Sequence, residues 1–288
     1  MERVGSQGLL FQEYAAPNTR YSRQRSVHQH RDTLAIPGGY LEGVNAPRAL
    51  IIDLDDTLID STASADRVWL NVAEAFAGRL NRSVAVIDQA LLDAREWYWD
   101  CPNRHHEGRM NLDKARLDVV LRGFEAMGIK DKGLAEAFTA AYTEGRIDAI
   151  EPFPGAIEAV QQLREMGLKL ALITNGQAMT QRKKVDVFEL ELLFDSVLIE
   201  GELGFGKPEP KVYERALRDL NAAAGETWMV GDNLEWEVGV PQSMGMSGVW
   251  VDWKKEGLPA EASIKPDLII HSVAELPGHV EKALANQY

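Results

Sequence analysis

The segment Ile51-Ile52-Asp53-Leu54-Asp55-Asp56-Thr57-Leu58 constrains this chain most, because an apolar run stops abruptly at carboxylates spaced i, i+2. A short apolar run bounded in this way reads as a buried strand whose C-terminal end delivers charge into a crevice. Three acidic groups within four residues repel one another. A divalent cation would neutralise them, and oxygen-rich clusters of this kind suit magnesium. Capping aspartates at a helix N-terminus would look similar, so the segment alone leaves both readings open.

Three later segments supply complementary chemistry in a matching context. The apolar run Leu168 to Ile173 enters Thr174-Asn175-Gly176, where a hydroxyl and the N–H groups of a glycine turn can meet an oxyanion. Gly206-Lys207-Pro208-Glu209-Pro210 sets one lysine in a rigid loop ahead of a helix. Thr227 to Val230 ends in Gly231-Asp232, with Glu235 and Glu237 close behind. Each segment follows an apolar strand, which is where open α/β sheets hold ligands.

These four segments resemble the four motifs of the haloacid dehalogenase-like superfamily of phosphohydrolases, and together they organise residues from about 47 to 272. The run Thr174-Asn175-Gly176 through Thr180-Gln181-Arg182-Lys183-Lys184, with Gly206-Lys207-Pro208 and Gly231-Asp232-Asn233-Leu234-Glu235, is similar in particular to the N-acylneuraminate-9-phosphatase and pyrimidine-nucleotidase branch. The resemblance implies that Asp53 is a nucleophile forming an aspartyl-phosphate, and that Asp55 protonates the leaving alkoxide and then activates water. It implies that Thr174 and Lys207 hold phosphoryl oxygens. Mg2+ would be held by Asp53, the backbone carbonyl of Asp55 and Asp232, with Asn233 and Glu237 outside that shell. Thr57, Asn175 and Gly176 are the expected phosphate-side contacts. Where many relatives carry glycine after the second aspartate, this chain has Asp56, read as an outward-facing turn residue. Where most carry a second aspartate five residues after Asp232, it has Glu237, one methylene longer, expected to act through a water or through Lys207.

The interval between Asp53 and Thr174 is too long for one crossover helix. Apolar residues at helical spacing in Asp66–Phe76, Val86–Leu91, Ala115–Phe124 and Leu134–Tyr142 predict a helical insertion. It resembles the superfamily's cap, with hinges expected near residues 60–65 and 145–154. Within it, Trp97-Tyr98-Trp99 and the cations Arg104, Arg109 and Arg116 are the substrate clue; Arg104 and Arg109 are candidate substrate contacts, while Trp97 and Trp99 are expected to fill the cap core. After the insertion, strands at 168–173, 195–199, 227–230, 248–251 and 267–270 alternate with helices at 157–166, 178–190, 210–220 and 236–244. The expected fold is a Rossmann-like doubly wound parallel sheet core with an inserted helical cap. Its parts are an extension at 1–46, core at 47–65, cap at 66–147 and core at 148–288.

Composition narrows the function classes. A net charge of −13 argues against general binding of nucleic acid polymers. One cysteine makes no intrachain disulfide, and no apolar run approaches the length of a membrane span. No glycine-rich dinucleotide fingerprint follows the first strand. Residues 14–31 carry four arginines and no acidic residue or sustained period, and residues 1–46 are expected to be poorly ordered. A cytoplasmic, monomeric or homodimeric magnesium-dependent phosphatase (EC 3.1.3-like) acting on a small phosphorylated metabolite is the expected function. A 2-haloacid dehalogenase, a phosphomutase of the same fold and a noncatalytic metabolite-binding protein are the alternatives. Asp55 and Asp232 weigh against the dehalogenase, which needs neither an acid for an alkoxide nor a metal cluster.

Overall fold

The computed structural model describes residues 45–286. The extension expected to be poorly ordered therefore lies outside the described residues, apart from its last two. Asn45 is tied down, its carbonyl accepting from Trp228 Nε1 at 3.0 Å.

Eight strands follow in chain order: β1 (Ala49–Asp53), β2 (Ile59–Asp60), β3 (Glu151–Pro152), β4 (Lys169–Thr174), β5 (Ser196–Ile199), β6 (Thr227–Gly231), β7 (Ser247–Val251) and β8 (Leu268–Ile270). Six of them form one parallel sheet in the order β5-β4-β1-β6-β7-β8. β1 is central and apolar at every position before Asp53 because both of its faces are covered. Leu50 and Ile52 pack with Leu170, Leu172, Trp228 and Val230 on one side, while Ala49 and Ile51 pack with Ala171, Ile173 and Met229 on the other. Strand order reverses direction beside β1, creating a crevice beyond the carboxyl ends of β1, β4 and β6. The register places Asp53 opposite Ile173 and Ile52 opposite Val230. Asp53, Thr174 and Asp232 thus end neighbouring strands or follow them directly.

Between β2 and β3 lie five helices, α1 (Thr62–Leu80), α2 (Val84–Trp99), α3 (Pro102–Met110), α4 (Leu112–Ala126) and α5 (Lys132–Asp148), which form the inserted cap. They share an apolar core of their own, including Trp69, Phe76, Leu91, Phe124 and Phe138. The expectation that Trp97 and Trp99 fill this core is overturned for Trp97, which is 42% exposed; Tyr98 is the buried member of the run and Trp99 packs partly against the core. Consecutive helical residues diverge by about 100°, so three adjacent aromatics cannot all face one core. After the cap come α6 (Ala156–Glu165), α7 (Ala178–Val187), α8 (Glu200–Leu203), α9 (Pro210–Leu220), α10 (Val240–Ser243) and α11 (Leu276–Ala285). The helix expected over 236–244 instead opens as a π-helix at Leu234–Gly239 before α10. Among the described residues, no helix is long and apolar enough to cross a membrane.

Candidate active site

The chain reverses immediately after Asp53. Leu54 O accepts from Leu58 N at 2.9 Å and from Ile59 N at 3.1 Å, and Asp56 N donates to Ile59 O at 2.8 Å. This turn returns Asp55 to the end of β1, where a continuing strand would carry it away. Asp56 does not face outward. With φ of 60° its carboxylate accepts from Ser61 N at 3.0 Å, from Thr62 N at 2.7 Å and from the Thr62 hydroxyl. It thereby satisfies donors at the start of α1 that the helix itself leaves open. Glycine would suit that backbone but would leave those donors without the carboxylate. Thr57 is buried nearby, and its Oγ1 has no hydrogen-bond partner among the described residues.

Lys207 is the electrostatic centre of the crevice. Its ammonium contacts Asp53 Oδ1 and lies 2.7 Å from Glu237 Oε1, with all three side chains buried. Asn175 fixes the lysine from behind. Its Nδ2 donates to Lys207 O at 2.6 Å, and its Oδ1 accepts from Lys207 N at 2.9 Å. The carboxamide expected to meet substrate is therefore engaged in clamping the lysine backbone. Gly176 likewise donates its N–H to Glu200 Oε2 at 2.8 Å, leaving Thr174 as the nearer candidate for an oxyanion.

Glu237 is longer than the expected aspartate, and the local structure absorbs the extra methylene. A Cβ on Gly231 would stand 2.2 Å from Glu237 Cγ, so the glycine before Asp232 makes room for the glutamate to fold back. Glu237 Oε2 accepts from Asn233 N at 2.7 Å. The wider π turn carries Trp236 and Glu237, and such turns occur frequently at functional sites. Asn233 uses its own Oδ1 to accept from Glu235 N and Trp236 N, both at 3.0 Å, and so caps this turn.

Asp55 is held by a pair of residues to which the sequence reading gave no role. Lys184 Nζ lies 2.6 Å from Asp55 Oδ1, and Gln181 Nε2 donates to Asp55 Oδ2 at 2.7 Å and also to Thr174 Oγ1. Burial raises the Asp55 pKa, but Lys184 and Gln181 together outweigh it and hold the carboxyl below its usual range. The signal was present in the spacing: Gln181 and Lys184 stand i, i+3 on α7, directly after the glycine turn. Asp53 goes the other way, raised by burial against the opposing pull of Lys207. Burial, opposed by Lys207 and reinforced by Asp53, pushes Glu237 up to about 7. Asp232 is raised well above the usual range by burial and by the charges of Glu237, Asp53 and Asp56.

Burial is the largest cause of the upward shifts at Asp53, Glu237 and Asp232, neighbouring carboxylates add to each, and together they bear on whether the crevice fits a divalent ion. Among the described residues no three His, Cys, Asp or Glu side chains form a metal cage by themselves. Magnesium does not require one, because it typically takes one or two carboxylates and completes its shell with water and substrate phosphate. Asp53 and Asp232 supply hard oxygens at adjacent strand ends, and their raised pKa values, set by burial and by neighbouring carboxylates, show that an added positive charge there would be favourable. The residues present fit the ion.

The cap reaches the crevice through α3. Arg109 Nη2 pairs with Glu200 Oε1 at 3.0 Å, and its guanidinium lies 5.5 Å from the Trp236 ring centroid. His105 meets the same ring edge-on. Arg104 is not brought to the site. It bonds to the carbonyls of Tyr98 and Trp97 and stacks 4.0 Å over the Trp97 ring, where it lines a 620 Å³ cleft between α2 and α4.

A doubly wound sheet with a buried aspartate–lysine–glutamate cluster beyond its carboxyl edge and a helical insertion directly after the first strand defines a capped hydrolase. A profile of haloacid dehalogenase-like hydrolases matches residues 47–245, and the chain belongs to that family. It is similar to a glyceraldehyde 3-phosphate phosphatase of Methanopyrus kandleri, 30% identical over 69% of this chain and 81% of the relative. It is also similar to the N-acylneuraminate-9-phosphatase of Rattus norvegicus, 25% identical over 82% and 94% of the two chains. The family is thus shared with more than one phosphatase branch, and the matches do not single out the acylneuraminate branch. A Bacillus subtilis structure described as a HAD-hydrolase, YfnB, bound to magnesium shares the fold with a TM-score of 0.64 and 20% identity, over 82% of this chain and 99% of that one.

Proposed function

We propose that the protein is a magnesium-dependent phosphomonoesterase acting on a small phosphorylated metabolite. The observation that carries this reading is the buried Asp53 carboxylate held by Lys207 at the end of the central strand, with Asp232 beside it at the end of the next. Asp53 attacks phosphorus and displaces the alcohol, forming an acyl phosphate that water later hydrolyses. Lys207 holds Asp53 and faces the transferring oxygens, and Thr174 offers its hydroxyl to the same group. Asp53, Asp232 and the Asp55 carbonyl would hold a magnesium ion, which when bound would supply positive charge to the phosphoryl oxygens.

Asp55 has two tasks of opposite sign. Its Lys184 pair keeps it ionised, which suits taking a proton from the attacking water. Donating a proton to the leaving oxygen requires the arriving phosphoryl charge to oppose a second negative charge beside it and raise its pKa. The N-acylneuraminate-9-phosphatase relative supports an acyl-sugar phosphate, and the glyceraldehyde 3-phosphate phosphatase relative a smaller one. Asp55 with Gln181 and Lys184 favours phosphate ester chemistry over halide displacement, which needs no leaving-group acid.

Asp53→Asn preserves size and removes the attacking charge. Phosphate release with magnesium is expected to fall by at least about a hundredfold in the folded variant. Retention of more than about a tenth of wild-type turnover, with metal content and folding verified, would exclude Asp53 as the nucleophile.

A further inference from the structure

Three arginines converge on Tyr142 at one end of the cap. Arg146, Arg116 and Arg95 all act electrostatically on its hydroxyl, with Asp66 the acidic group among them. They come from α5, α4 and α2, while Asp66 and Trp69, whose ring stacks on Tyr142 at 3.6 Å, come from α1. The helices run alternately away from and back to the core. The start of α1, the end of α2, the start of α4 and the end of α5 therefore share the core-facing end, where these residues stand.

The positive charge there is only partly answered. Arg95 Nη1 pairs with Asp66 at 2.7 Å, but its Nε is buried without a hydrogen-bond partner among the described residues. Arg116 has Thr143 Oγ1 at 3.3 Å and Asp113 at 3.7 Å, and the latter side chain is 79% exposed. Arg146 is buried and bonds only hydroxyls among the described residues, Ser64 Oγ at 2.9 Å and Ser61 Oγ at 3.4 Å. Burial, with the like charge of Arg146, holds Arg116 below the usual arginine range against the favourable influence of Tyr142. Buried guanidinium groups without carboxylate partners are costly, and the cost is offset when an anion binds among them.

The cluster is joined to the reaction centre. Ser61, whose hydroxyl Arg146 contacts, also donates its N–H to the carboxylate of Asp56, the residue next to Asp55. Asp55 is the group assigned to the leaving oxygen, so the body of the leaving alcohol extends on its side of phosphorus. We propose that Arg146, Arg116 and Arg95 form a subsite for a second anionic group on the leaving alcohol, a carboxylate or a further phosphoryl. The inference rests on the phosphomonoesterase reading for the molecule that fills the subsite, and it makes the substrate a phosphorylated acid or a bisphosphate rather than a neutral sugar phosphate.

Two matched pairs test it with the full-length protein and magnesium: 3-phosphoglycerate against glycerol 3-phosphate, and fructose 1,6-bisphosphate against fructose 6-phosphate. In at least one pair the anionic member is expected to have the higher kcat/KM by about tenfold or more, and the pair in which it does names the anion. Arg116→Gln and, separately, Arg95→Gln are expected to reduce that ratio by about tenfold. Ratios near one in both pairs, or a preference that survives both substitutions in folded protein, overturn the subsite. Binding of the same four compounds to Asp53→Asn, followed by calorimetry, separates this failure from failure of the chemistry. If wild type releases no phosphate from any ester, tighter binding of an anionic member that is lost in Asp53→Asn/Arg116→Gln still upholds the subsite, and equal binding across both pairs overturns it.

Discussion

Lys207 carries one positive charge into a pocket where Asp53 and Glu237 both touch it and Asp232 lies in their field. Burial raises the pKa of all three carboxylates, and their mutual repulsion, which one ammonium cannot balance, adds to it. Protons therefore compete with a cation for the same oxygens. A bound cation favours the ionised carboxylates, so magnesium affinity is expected to rise with pH and level off once pH passes the raised pKa values, Glu237 at about 7 among them. Below that range binding is expected to release protons. Calorimetry at about pH 6, in two buffers of different ionisation enthalpy, measures the number, and a count of zero would contradict the shared-charge account. Asp53, Asp55 and Asp232 stood out in the sequence because each lies at or just beyond the end of an apolar run, and Lys207 because of its Gly-Lys-Pro setting; the structure brings Asp53 and Lys207 into contact. Glu200 did not stand out, since an isolated acidic residue at the start of a helix reads equally well as solvated surface, and the i, i+3 spacing of Gln181 and Lys184 lay within the polar run Thr180 to Lys184, which reads the same way.

At the level of elements, α3 meets the core through Arg109 and the end of β5 through Glu200. Glu200 bonds Gly176 N with its other oxygen, so a single carboxylate ties the cap to the loop after β4. The sequence suggests that Arg109 reads a substrate anion, but its pairing with Glu200 argues that it holds the cap down. Arg109→Ala is expected to lower kcat/KM by a similar factor, about tenfold, for a large metabolite and for 4-nitrophenyl phosphate alike. Glu200→Gln should behave in the same way, and the double variant should be little worse than either single one. A loss confined to the larger ester would return Arg109 to substrate recognition. The six strands of the main sheet were legible to within a residue or two because burial on both faces writes continuous apolar runs, whereas the two-residue β2 and β3 were not. The π turn at Leu234–Gly239 was not, because one widened turn leaves no period to detect.

The whole molecule has separate apolar cores for the sheet and the cap. Phe138 is fully buried in the cap core, meeting Trp69, Phe76 and Phe124. Phe138→Ala is expected to cost about 3–5 kcal/mol. Hydrogen exchange should show the loss of protection concentrated in α1–α5, with β1 and β6 retaining theirs; a uniform loss would mean that the two cores unfold as one unit. The chain leaves the core through β2 and re-enters it through β3, and these strands pair with Ile59 opposite Pro152 and Asp60 opposite Glu151. The ends of the insertion are therefore neighbours in space although some ninety residues separate them in the chain. Loop closure across so short a gap is nearly indifferent to the length of what is inserted. The scaffold thus works as a socket: a segment of different length whose ends match this ribbon would sit over the same edge of the sheet, changing which molecules are admitted, provided that it supplies a cation for Glu200 in place of Arg109.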